Sequence, residues 1–143
     1  MAKVDDVAAA ILERKHPLDT WKFQKLVYYC QAWHLAWEST ALFPDRIEAW
    51  ANGPVVPALY RHHRGRFQIS EWPRGKTGNL APNEIESIDV VLNFYGNKPG
   101  YWLSELTHSE RPWIQARRGL ARGEPGTREI TKESMAEYYL SLL

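Results

Sequence analysis

The stretch from Thr20 to Glu38 constrains this chain more than any other part of it. It holds no proline and no glycine. Phe23, Leu26, Val27, Cys30, His34 and Trp37 recur at helical spacing along one face. Tyr28, Tyr29, Ala32, Trp33 and Leu35 cover much of the remainder. A helix that is apolar nearly all round must be enclosed by neighbours, so the pattern predicts a central helix within a bundle. Asp19 is placed to cap its first turn, and Leu18 and Phe23 are spaced for a hydrophobic staple across that cap.

The flanking segments supply the neighbours. Val4, Val7, Ala8, Ile11 and Leu12 form one helical stripe, with Asp5 and Asp6 in the first turn and Arg14, Lys15 and His16 in the last, as the helix dipole favours. Pro17 stops it. Ile47 to Trp50 alternates as a short strand, and Asn52-Gly53-Pro54 is a break. Pro54 or Pro57 then opens a short helix reaching about His63 and stopped at Gly65. Phe67-Gln68-Ile69 is a second candidate strand. Trp72 to Pro82 is rich in Gly, Pro, Asn and Lys and predicts an exposed loop. Asn83 and Glu86 have capping-box spacing ahead of Ile85, Ile88, Leu92 and Tyr95, with Gly96 placed to end that helix. Short helices are expected over Gly100–Thr107 and Pro112–Arg118, then a Gly/Pro loop over Gly119–Thr127 and a third candidate strand at Glu129-Ile130. Thr131 caps a final helix carrying Met135, Tyr138, Tyr139 and Leu142 on one face. The fold class expected is mainly α (α+β): one domain over residues 1–143, wrapped around an aromatic-rich helix, with a small accessory β element.

Composition excludes several function classes. A chain of 143 residues is the length of one domain and buries about 68–70% of its unfolded surface without a metal or disulfide staple. A single cysteine leaves no intrachain disulfide framework and no cysteine-based zinc cluster. A net charge of +1 argues against the whole chain wrapping a polyanion, although a local basic patch stays open. No apolar run approaches the ~20 residues of a membrane span, and the first residues lack the basic start and bare apolar core of a signal peptide. Cytosol is the expected compartment. The unusual feature is an aromatic content of 13%, with seven Trp and seven Tyr. Trp, Tyr and Arg are the residues enriched at protein-binding hot spots.

No catalytic constellation emerges. Cys30 lies mid-helix on an apolar face, which suits a structural thiol. No G-x-S-x-G elbow is present, and Gly75-Lys76-Thr77 lacks the first glycine of a phosphate-binding loop, Ser70 standing in its place. The histidines (His16, His34, His62, His63, His108) show no metal-ligand spacing, and His62 and His63 point about 100° apart on a helix. No metal and no cofactor are expected. Arg61, His62, His63, Arg64 and Arg66 form a basic cluster, and Arg111, Arg117, Arg118 and Arg122 another. These could meet phosphates beside exposed aromatics, but positive charge also suits a solvated helix end, and nucleic acid is the weaker reading.

Three blocks, taken in order, carry a resemblance. They are Gln24-Lys25-Leu26-Val27-Tyr28-Tyr29-Cys30-Gln31-Ala32-Trp33-His34-Leu35, then Ile47-Glu48-Ala49-Trp50-Ala51-Asn52-Gly53-Pro54-Val55-Val56-Pro57-Ala58-Leu59-Tyr60, then Leu103-Ser104-Glu105-Leu106-Thr107-His108-Ser109-Glu110-Arg111-Pro112-Trp113. Together they resemble the Panacea antitoxin domain of SocA-like antitoxins and GepA-type phage-associated proteins, over roughly residues 20–118. The resemblance implies a non-enzymatic antitoxin that binds a toxin directly, the toxin usually being encoded beside it. It also implies an alternative, since SocA works as an adaptor that delivers its toxin to an ATP-dependent protease. Whether a second copy of the chain pairs with the first stays open.

On the matched residues, Gly53-Pro54 is expected to turn the chain from strand into helix, and Pro112-Trp113 to start a helix beside an aromatic anchor. His108 is expected to bond a backbone group or a carboxylate such as Glu48 or Glu110. Lys25 and Gln31 are polar positions on the apolar central helix. A lysine is expensive to bury unpaired, so Lys25 reaches solvent, pairs with an acid or faces a partner. The expected partner contacts are Trp50, Asn52, Tyr60, Arg61, Arg64, Trp113 and Arg117.

Overall fold

The computed structural model describes residues 1–143 throughout. Helix α2 (Thr20–Glu38) runs through the middle, and most of its residues are buried. The Asp19 carboxylate accepts from the Lys22 amide at 2.8 Å, and Ser39, in the left-handed region at φ 60°, ends the helix. Around it pack α1 (Val4–Arg14), α4 (Pro82–Tyr95), α5 (Gly100–Ser109) and α7 (Lys132–Ser141). Two shorter helices, α3 (Pro57–His63) and α6 (Arg111–Ala116), complete the helical set. One continuous core joins α1, α2, α4 and α7, including Ile11, Phe23, Tyr28, Tyr29, Ile88 and Tyr139. The mainly helical fold with a minor β component is the one expected.

The polar residues of α2 fasten the loops to it. Gln31 Nε2 donates to the Phe43 carbonyl and Oε1 accepts from the Leu42 amide, both at 2.7 Å. Gln24 Oε1 accepts from the Val56 amide at 2.8 Å, and its amide nitrogen meets His63 Nε2 at 2.9 Å. Both glutamines are fully buried, and each supplies partners to backbone that would otherwise be orphaned. His34 Nδ1 meets Ser87 Oγ at 2.8 Å, and Cys30 is sealed among apolar side chains, where burial pushes its thiol far up.

The β component is larger than the sequence suggests: five short strands in two sheets, not three strands. β1 (Leu18–Asp19) pairs antiparallel with β4 (Gln68–Ile69). β2 (Ile47–Trp50) pairs on one side with β3 (Gly53–Val55) and on the other with β5 (Glu129–Ile130), both antiparallel. Gly53-Pro54 therefore turns strand into strand, not strand into helix. It opens the return arm of a hairpin whose two-residue turn is Ala51-Asn52. Pro54 is tolerated because β3 is an edge strand, where a missing N–H need not leave a gap in the ladder. Pro57, three residues later, starts α3.

Two other expectations are corrected. The capping residue of α4 is Ala81, and its amide donates to Glu84 Oε1 at 2.7 Å, so the Asn83/Glu86 box is displaced by two residues. Pro82 takes the first helical position, and Asn83 instead reaches Glu38 at 2.9 Å. The Trp72–Pro82 loop is a strap across α1, with Trp72 and Leu80 buried. Trp72 Nε1 donates to Asp5 and the Lys76 amide to Asp6, each at 2.9 Å. Gly75 sits so close to α1 that a Cβ there would lie 2.0 Å from the Asp5 carbonyl oxygen.

A candidate partner-binding surface at the hairpin

The three matched blocks are distant in sequence and meet at the β2–β3 hairpin. α2 brings Lys25, the hairpin brings Trp50, Asn52 and Gly53, and α5 with α6 brings Thr107, His108, Pro112 and Trp113. Gly53 has φ +132°, and a Cβ there would stand 3.1 Å from Lys25 Cε and 3.6 Å from Thr107 Oγ1. The close approach of α2 and α5 to the turn thus requires glycine.

Trp113 anchors the hairpin from the other side. Its Nε1 donates to the Trp50 carbonyl at 2.9 Å, and its ring stacks on His108 with centroids 4.1 Å apart. Pro112 is buried at the first turn of α6 and fixes the entry of this helix. Arg117 is buried too. It donates to the carbonyls of Ala49, Ala121 and Glu124, with its guanidinium 5.2 Å from the Trp113 ring. In the free chain Arg117 therefore ties the loop after α6 to β2. His63 of the basic cluster is likewise turned inward onto Gln24.

Of the two alternatives for His108 the backbone one is found, with the Asn52 carbonyl, and neither Glu48 nor Glu110 is bonded. Glu48 accepts from Trp50 Nε1 at 2.9 Å and pairs with Arg46 at 3.0 Å. Glu110 is engaged by tyrosines on the other side of α5. His108 Nε2 is sealed from solvent and has no hydrogen-bond partner. Burial holds the imidazole below its ordinary pKa, the Asn52 carbonyl opposes this, and Lys25, Arg122 and Arg117 add to the depression. Lys25 is 3% exposed and forms no ion pair or hydrogen bond; its Nζ lies 5.9 Å from the Trp21 ring.

What faces outward is a band of aromatic rings. Trp21 and Tyr60 lie 6.4 Å apart by centroid, and Tyr60 meets Trp50 edge-on at 4.8 Å. Trp50, Tyr60 and Trp113 are half-buried, whereas Asn52, Arg61 and Arg64 are exposed. Beside the band, a cleft of about 900 Å³ separates the turn from α5, α6 and the following loop, with Asn52, His108, Trp113 and Arg118 among its walls. The arrangement offers rigid amphipathic rings, a cationic margin and no nucleophile–base pair.

Sequence reasoning missed Trp21 and Thr107 in this surface. Trp21 could have been found from its position, one turn before Lys25 on α2; Thr107 carried no signal beyond its place in the third block. No helix is long and apolar enough to cross a membrane. No curated protein and no solved structure matches the chain. The family described as antitoxin SocA-like, Panacea domain, matches residues 23–114, well over half the chain and most of the hairpin surface, Trp21 lying before the span and Arg117 and Arg118 after it. With the matched span folding into the central helix, the hairpin and the α5–α6 corner as one unit, the chain belongs to the SocA-like antitoxin family, that of the Panacea domain.

Proposed function

We propose that this protein is an antitoxin that neutralises a toxin protein by binding it directly, with the hairpin and its aromatic band as the contact surface. The supporting observation is the run Trp21–Tyr60–Trp50, a set of large rings left partly exposed at the meeting point of the matched blocks. Such rings make hot spots because they bury large area at small entropic cost. Here the cost is lower still, since the Trp50 indole and the backbone behind it are already hydrogen-bonded. The exposed Arg61 in the last turn of α3 and Arg64 just after it add a positive margin that speeds encounter with an acidic surface. Inhibition by this route needs no bond chemistry. The rings cover the toxin's active or membrane-inserting face. The toxin is expected from a neighbouring gene, with both proteins in the cytosol.

Trp50→Ala and Tyr60→Ala test the surface. Each is expected to weaken toxin binding about 10- to 100-fold, as for truncation of an interface anchor. Far-UV circular dichroism and a thermal melt establish that the variants fold. Folded variants that protect cells as well as the parent chain overturn this assignment of the contact surface.

A further inference from the structure

Helix α5 has two working faces. Glu105, His108 and Ser109 line the cleft beside the hairpin, whereas Trp102, Leu106 and the capping residue Glu110 look into a separate groove. That groove has a volume of about 510 Å³ and is walled by Trp33 and Trp37 of α2, Phe94 and Tyr95 of α4, and Trp102 and Leu106 of α5. Ten of its 11 lining residues are hydrophobic, and the exception is Glu110.

The state of Glu110 gives the groove its chemistry. The residue is 5% exposed. Its Oε1 accepts from Tyr29 and Tyr139, both at 2.7 Å, while Tyr28 donates to the Tyr139 oxygen at 3.0 Å. Its Oε2 has no partner within the chain and is not sealed from solvent. No cation of the chain pairs with it. The adjacent Arg111 places its guanidinium 5.6 Å from the Tyr138 ring instead. Burial raises the carboxyl pKa and the two tyrosine hydrogen bonds pull it back. A carboxylate kept in such surroundings without a countercharge costs stability. The ring faces around it also favour positive charge, and Lys98 Nζ already lies 4.8 Å from the Trp102 centroid at one wall. Apolar walls, aromatic faces and a lining carboxylate with one oxygen left without a partner together complement a cation on an apolar stem.

We infer that this groove binds a Lys or Arg side chain presented on an apolar segment of a partner protein, the Glu110 carboxylate receiving the cation and the tryptophan rings the flanking apolar side chains. The inference does not rest on the hairpin surface, and its test needs no toxin. The probes are two amidated helical peptides of Leu, Ala and Gln that differ at one central position, Lys in one and norleucine in the other. Binding is read from tryptophan fluorescence and from amide shifts of the full chain. The Lys peptide is expected to bind at least tenfold tighter than the norleucine peptide. Glu110→Gln, whose amide oxygen can still accept from the tyrosines, is expected to abolish that preference. Phe94→Ala alters an exposed ring, so the fold survives, and it is expected to weaken both peptides. Equal affinity for the two peptides, a preference that survives Glu110→Gln, or no binding of either overturns the inference. So does sedimentation that shows the groove closed by a second copy of the chain.

Discussion

Lys25 is a buried cation whose charge the fold leaves without an ion pair. Burial pushes its ammonium down to about 8 from 10.5, with Asp19 pulling weakly the other way. The linkage has a definite sign. Below about pH 8 the folded chain must hold the buried charge, and the full cost is present. Between about 8 and 10.5 the folded chain has released the proton while the unfolded chain keeps it, so stability rises with pH and the cost vanishes. Lys25→Met, which keeps the stem and removes the charge, is expected to stabilise the chain at pH 7 by roughly 1–3 kcal/mol. That gain is expected to shrink to nothing by about pH 10.5. Urea unfolding at the two pH values checks it, and a variant less stable than the parent at pH 7 contradicts it. The anomaly was legible in sequence, because a lysine on an apolar helical face stands out by periodicity alone. Its neighbours were not: Gly53 and Thr107 lie far along the chain. For His108 the backbone alternative holds, through the Asn52 carbonyl, whereas the carboxylates named for it are engaged by Trp50, Arg46, Tyr29 and Tyr139.

At the scale of elements, periodicity located α1, α2, α4 and α7, because its signal is local and repeats over several turns, while prolines marked the starts of the short α3 and α6. The strands were harder. β1 coincides with the capping signal of α2, and Pro54 disguises β3. Pairing makes them strands: Leu18 with the distant Ile69, and Val55 with Glu48 across the hairpin turn. The Trp72–Pro82 strap looked exposed because its composition is that of a loop, while Trp72 and Leu80 are buried and the Trp72 indole and Lys76 amide bond to aspartates in α1. The hairpin is the element on which the proposed contact surface depends. Gly53→Ala forces a side chain onto a left-handed backbone and against Lys25. It is expected to lower stability by about 1–3 kcal/mol. It is also expected to weaken toxin binding more than an alanine on the far face of α4, such as Glu86→Ala. Unfolding midpoints of Gly53→Ala equal to those of the parent chain contradict the close approach described.

Across the whole molecule, α5 separates two surfaces of different character. One is the aromatic, cationic hairpin face with its cleft. The other is an apolar groove closed at one end by Glu110. The sequence carried much of the first, because Lys25, Trp50, Asn52, Gly53, Tyr60, His108, Pro112 and Trp113 fall within the family's ordered blocks. The second draws Trp33 and Glu110 from those blocks but Phe94 and Trp102 from outside them, and only packing brings the four together. Packing decides which large rings remain outside, and the six other helices leave Trp37 and Phe94 partly uncovered. Direct neutralisation of a toxin is the central claim, and co-expression with the product of the neighbouring reading frame tests it most directly. The account predicts that the neighbour alone arrests growth, that this protein restores it, and that the two purify as a stable complex with the toxin still abundant. A toxin that disappears only when an ATP-dependent protease is present contradicts simple sequestration. A neighbour that arrests growth but is neither bound nor relieved by this protein contradicts the account itself.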